Sequence, residues 1–132
     1  MIKMIWKIKR KVPLVCYIEE QNGILLVEIK NTITSKDFAA LSRAIDPYYE
    51  AHGEFKGIIL HSKKFPYWKG AEARREYMYF VENYHYKFKK VAIGMGGFFP
   101  KLLPNLAKRF IKPELKNFGY NNVDAAHDWI LL

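Results

Sequence analysis

The chain has one cysteine, Cys16, and only three serines, Ser35, Ser42 and Ser62. A lone thiol cannot close an internal disulfide, and this one lies in an apolar run. A buried, inert side chain in a reducing compartment is therefore expected. No serine lies in a G-x-S-x-G turn, where a strained elbow would present its hydroxyl. The four histidines, His52, His61, His85 and His127, show no HxxxH or HExxH spacing. With no second cysteine beside them, no metal site is read, and the rings are expected at the solvent edge or hydrogen-bonded. Glu72 and Glu76 lie one helical turn apart beside Arg74 and Arg75, the pattern of a solvated charged face rather than a catalytic carboxylate pair. No apolar run approaches the ~18–20 residues of a membrane span. Met1 to Ile8 is broken by Lys3 and Lys7 and lacks the core and cleavage site of a secretory signal. The expectation is a cytoplasmic protein in which no catalytic residue, metal or cofactor is read, although acid or base groups assembled from distant positions stay open. A peripheral position on the inner membrane surface is a further expectation, because of its charge.

Acid is missing from two zones. Residues 1–18 hold Lys3, Lys7, Lys9, Arg10 and Lys11 and no carboxylate; residues 83–113 hold Lys87, Lys89, Lys90, Lys101, Lys108, Arg109 and Lys112 and again none. These 12 bases exceed the net charge of +9, so the rest of the chain is mildly acidic. Basic zones on an acidic body suit an anionic partner, although solubilising lysines give the same pattern.

What is present is enough apolar material for one core. Half of the 132 residues are hydrophobic and 16% are aromatic, which fits a single folded domain. Val12 to Glu19 reads as a strand, Gln21-Asn22-Gly23 as a hairpin turn and 24–31 as its partner strand. Thr34 with Asp37 opens a helix with Phe38, Leu41 and Ile45 on one face, kinked at Pro47 and closed at Gly53. Phe55 to His61 is a nearly continuous apolar run, the mark of a strand buried on both faces. A helix from Ala71 to Lys87 carries Ala73, Tyr77, Phe80, Val81, Tyr84 and Phe88 at helical spacing. A strand from Lys90 to Met95 follows, then Gly94-Met95-Gly96-Gly97, a helix between Phe98 and Lys112, a short strand from Leu115 to Tyr120 and a helix from Val123 to Leu131. This order predicts an α/β fold: a mostly parallel sheet of about five strands, an N-terminal hairpin and about four helices.

Several phrases strengthen that reading: "GILLVEIKNTITSKDF", the proline-bearing "IDPYYEAHG", "FKGIILHS" leading into "FPYWKGA", "KKVAIGMGG" and "AKRFIKPELKNFGYNNVDAAHDWI". Together they resemble the SpoIIAA-like branch of the STAS domains, a branch related to Sec14-type lipid-binding folds. The resemblance covers 12–132 and leaves 1–11 as a basic extension. It implies a non-enzymatic module that switches protein interactions or binds small ligands. Anti-sigma-antagonist members carry a phosphorylated serine at the helix start after the third strand. Here Trp68 and Lys69 fall at about that place and Ser62 comes too early, so that switch is not carried over.

The densest chemistry lies in the expected helix after Gly97. Phe98, Phe99, Leu102, Leu103, Leu106, Phe110 and Ile111 are too many for one buried stripe, and they interleave with Lys101, Lys108, Arg109 and Lys112. The loop Phe65, Tyr67, Trp68, Lys69 and the N-terminal Ile2, Ile5, Trp6 and Ile8 repeat the mixture. Rings beside ammonium groups suit an anionic lipid surface or a lipid-like anion. The expected site is a groove lined by Phe65, Tyr67, Trp68, Lys69, Phe98, Phe99, Lys101 and Leu102. Lys3, Lys7, Lys9, Arg10, Lys11, Lys108, Arg109 and Lys112 form its basic surround. A protein partner or a homodimer using the same patch is the alternative. Nucleic acid is disfavoured, because no recognition-helix or RNP-type motif is found.

Overall fold

The computed structural model describes residues 14–29, 33–63, 70–95 and 112–132. Five strands form one sheet: β1 (Leu14–Glu19), β2 (Ile24–Ile29), β3 (Phe55–Ser62), β4 (Phe88–Met95) and β5 (Glu114–Asn117), arranged side by side in sequence order. β1 and β2 pair antiparallel and every later pair is parallel. The α-helices among the described residues are α1 (Ser35–His52), α2 (Gly70–Tyr84) and α3 (Val123–Leu131). The expected α/β class, hairpin and mostly parallel sheet are all present. The expected helix between Phe98 and Lys112 lies outside the described residues, apart from Lys112 itself.

The local causes are those read from the sequence. Gly23 closes the β1–β2 hairpin at φ 66°, a backbone region that side chains disfavour. At the start of α1, the Asp37 carboxylate accepts from the Thr34 N–H at 2.7 Å and from its hydroxyl at 3.1 Å. The helix runs without interruption through the exposed Pro47 and ends where the Gly53 N–H reaches the Tyr49 carbonyl.

One boundary differs. The expected helix to Lys87, with Phe88 on its face, stops at Tyr84; a short 3₁₀ turn (His85–Lys87) follows and Phe88 opens β4. The physical reason lies on the neighbouring strand. Phe88 is the register partner of Phe55, and their rings stack at 4.9 Å, with Tyr48 stacked on Phe55 at 4.3 Å. Pairing across the sheet overrides helical spacing. β5 is likewise shorter than expected, and Phe118 and Tyr120 fall in the turn after it.

Parallel strands laid down in sequence order, joined by crossovers of one hand, put every crossover helix on the same face. Accordingly α1 and α2 share one core with Leu25, Val27, Ile58 and Ile93. The opposite face, with Ile24, Leu26, Ile59 and Ala92, is covered by Ala126 and Ile130 of α3. Here the fit is close. A Cβ on Gly57 would lie 2.7–2.8 Å from three side-chain carbons of Ile130. Gly57→Ala is expected to cost about 1–3 kcal/mol in urea unfolding. Combined with Ile130→Ala, the loss should be smaller than the sum of the two single losses, because the truncated residue no longer collides.

Candidate functional site

Between the sheet and the helices α1 and α2 lies a cavity of about 120 Å³. Val27, Ile58 and Val91 of the sheet face Phe38, Leu41, Tyr77 and Phe80 of the helices across it. The helices bring rings because their inward faces carry aromatics at helical spacing. The lining is almost wholly apolar, and burial pushes the Tyr77 phenol above its ordinary range. Such a space resembles the ~150 Å³ apolar cavities that take up benzene or xenon. It can hold an apolar ring or a short alkyl chain, and it offers no charge to a polar ligand.

Met95 and Pro113, which flank residues 96–111, also line the cavity. Ser62 and Met95 are register partners, so the chain leaves β3 and β4 at adjacent positions on the C-terminal edge of the sheet. That edge is where open α/β sheets gather ligand-binding loops. Phe65, Tyr67, Trp68, Lys69, Phe98, Phe99, Lys101 and Leu102 lie outside the described residues, as do Lys3, Lys7, Lys9, Arg10, Lys11, Lys108 and Arg109. Lys112 is described: its ammonium pairs with Glu54 at 2.5 Å, and its backbone N–H donates to His85 Nδ1 at 2.9 Å.

A second hollow, of about 870 Å³, runs along the outside of α1 and α2. Lys87 beside it is held by the rings of Tyr84 at 4.3 Å and Tyr49 at 4.7 Å, and by the Asp46 carboxylate at 3.5 Å. The cation is thereby satisfied within its own chain.

On the α3 face, at the same C-terminal edge, Glu28 of β2 and His61 of β3 meet as register partners. His61 Nδ1 lies 2.5 Å from Glu28 Oε2, and Nε2 lies 2.6 Å from the Tyr120 carbonyl. The Tyr120 ring stacks on the imidazole at 4.4 Å with planes 5° apart. Burial opposes the charged ring, but the Glu28 carboxylate and the Tyr120 carbonyl outweigh it and raise the His61 pKa. Both ring nitrogens are engaged by the protein, so neither is free to take a proton from a substrate. A second such pair lies at the hairpin end, where His127 Nε2 meets Glu19 Oε1 at 2.8 Å. Burial opposes the Glu19 charge too, yet hydrogen bonds from Asn22 and His127 hold its carboxyl below the usual range.

Sequence reasoning missed Glu28, His61 and Tyr120. The available signal was positional: Glu28 interrupts an apolar run and His61 ends one, each one residue before the end of its strand, and the two strands are neighbours. Among the described residues no group of histidines, cysteines and carboxylates could hold a metal ion. No described helix is long and apolar enough to cross a membrane.

A family model described as SpoIIAA-like matches residues 24–131. Among solved structures, the chain is similar to an uncharacterised protein of the DUF3478 family, with a SpoIIAA-like fold, from Shewanella loihica PV-4. The two share 16% identity and a TM-score of 0.61 over 89% of this chain and 91% of that one. At that identity the likeness concerns the fold alone. No curated protein matches the chain.

The cavity face also bears on Cys16. Burial first, and then the Asp37 charge, push its thiol up to about 12. Native protein at pH 8 should therefore react with iodoacetamide roughly 1,000-fold more slowly than chain unfolded in urea, followed by mass spectrometry.

Proposed function

The chain belongs to the SpoIIAA-like family, and from that premise we propose that it is a non-enzymatic binding and regulatory module whose ligand is an apolar, lipid-like anion. The single observation that carries this reading is the apolar cavity under α1 and α2, with Met95 and Pro113 in its lining. The apolar part of the ligand enters the cavity. Its charged end stays outside it, since the lining offers no partner for an anion. Trp68, Phe98 and Phe99 are assigned as further apolar walls, and Lys69 and Lys101 as the groups that meet the charge. At about 120 Å³ the cavity takes only the end of an acyl chain, so the remainder rests against these residues or against a membrane surface.

A second reading, a protein-interaction module, is favoured by the hollow along α1 and α2, where Tyr79 is 64% exposed and Tyr86 45% exposed. Exposed tyrosines beside a groove are suited to partner recognition. A light-scattering mass of twice one chain would support self-association at this surface.

The ligand reading is tested by methyl NMR with octanoate and octanol. Shifts at Leu41, Ile58 and Val91 with both probes, stronger with octanoate, are expected. Leu41→Trp, which fills the cavity, should weaken binding at least about tenfold. No shift at millimolar probe would overturn the reading. Flotation with anionic and neutral vesicles tests the membrane version: retention on anionic vesicles alone is expected, and equal failure on both removes it.

A further inference from the structure

The Glu28–His61–Tyr120 contact carries a proton count. A carbonyl only accepts hydrogen bonds, so at 2.6 Å from the Tyr120 oxygen, His61 Nε2 bears a proton. An ionised carboxylate also only accepts, so at 2.5 Å from Glu28 the Nδ1 bears one too, or else Glu28 itself holds that proton and donates it. Either way the pair holds one proton more than a neutral imidazole beside a carboxylate. Remove it, and one of the two contacts becomes lone pair against lone pair. The remaining ring proton favours the charged acceptor, Glu28, so the contact to Tyr120 is the one that opens.

That contact anchors a turn. The Phe118 N–H reaches the Ile93 carbonyl at 2.7 Å, Gly119 has φ 80°, and Asn122 Nδ2 returns to the Phe118 carbonyl at 2.7 Å before α3 begins. Gly94 leaves no slack on the β4 side: a Cβ there would lie 3.2 Å from the His61 ring and 3.3 Å from the Gly119 oxygen. We infer that Glu28, His61 and the Tyr120 carbonyl form a proton-operated tether that fixes the start of α3 to the sheet when protonated and releases it when the proton leaves. The device is independent of the cavity, which lies on the opposite face.

The surroundings leave the Glu28–His61 pair as the unit that takes up and loses the proton. Glu28 faces it from β2, Gly94 brings no charge from β4, and the turn brings the Tyr120 ring and carbonyl. From α3, His127 is engaged with Glu19, and Asp124 is exposed to solvent. On β3 itself Ser62 is buried, and Lys63 just beyond it is exposed. The sign follows from binding. The folded pair holds its proton more tightly than free histidine does, whose value is ~6.5. The tether is complete below that value and is lost as pH rises through the higher folded-state value.

The test is hydrogen exchange of the α3 amides, above all Ala126, whose N–H meets the Asn122 carbonyl at 3.0 Å, read alongside ¹⁵N shifts of the His61 ring. In the wild type, both ring nitrogens, or Glu28 and Nε2, should carry protons at pH 6. Protection, corrected for intrinsic exchange, should then fall by up to about tenfold per pH unit above the His61 midpoint. In Glu28→Gln the side-chain amide can donate to Nδ1 while Nε2–H stays on Tyr120. Protection should then be flat with pH and His61 should titrate lower than in the wild type. Wild-type protection that is flat through the His61 midpoint overturns the tether, as does an equal pH slope in Glu28→Gln. Should Glu28→Gln fail to fold, the wild-type ring shifts and protection profile decide alone: a singly protonated ring beside an ionised Glu28 at pH 6 overturns it.

Discussion

A parallel sheet built in sequence order leaves one face bare, and the docking of α3 onto that face is the constraint on which the rest of the structure depends. The crossover helices α1 and α2 cannot help, because both lie on the other side. Among the described residues, a helix of nine residues covers Ile24, Leu26, Ile59 and Ala92. It manages this by close approach: Gly57 and Ala92 on the sheet leave room for Ile130 and Ala126. The helix is also held at its end from outside. Lys90 of β4 donates to the Trp129 carbonyl at 2.8 Å and lies over the Trp129 ring at 5.0 Å. That carbonyl also accepts from the Leu132 N–H at 3.2 Å, so the cation adds a second donor at the helix C-terminus, where it meets the negative end of the dipole.

The two faces consequently differ in chemistry. One holds aromatic and aliphatic side chains around an apolar cavity. The other holds two histidine–carboxylate pairs, one near each end of the sheet. Proximity of histidine and carboxylate alone does not make an acid–base site. At His61 both ring nitrogens are already engaged within the chain, one by Glu28 and one by the Tyr120 carbonyl.

Much of the fold was legible because its signals are local. The hairpin follows from Asn22-Gly23, the start of α1 from Thr34 and Asp37, and the doubly buried β3 from its nearly continuous apolar run. What was not legible depends on register between strands. Phe88 carries helical spacing with Tyr84 and Phe80, yet its place is fixed by Phe55, a partner far away in sequence. Glu28 and His61 are 33 residues apart and His61 and Tyr120 are 59 apart; only the parallel pairing of β2 and β3 brings the first two together. The apolar cavity arises in the same way, from side chains of the sheet and of two helices that no single segment reveals. The rings and lysines of 65–69 and 98–102 were singled out from composition and lie outside the described residues. What the fold supplies for that site is the adjacency of Ser62 and Met95, the strand ends next to those segments.

The cap on Trp129 has a thermodynamic corollary. Helices shorter than ~12–15 residues are marginal in water, and the ammonium that finishes this one belongs to a strand. Detachment therefore removes the cap and the covering contact together, so the segment should melt as it lifts rather than drift away intact. The partly open molecule would be a frayed coil beside a bare aliphatic strip, a sticky form whose lifetime the Lys90 bond helps to keep short.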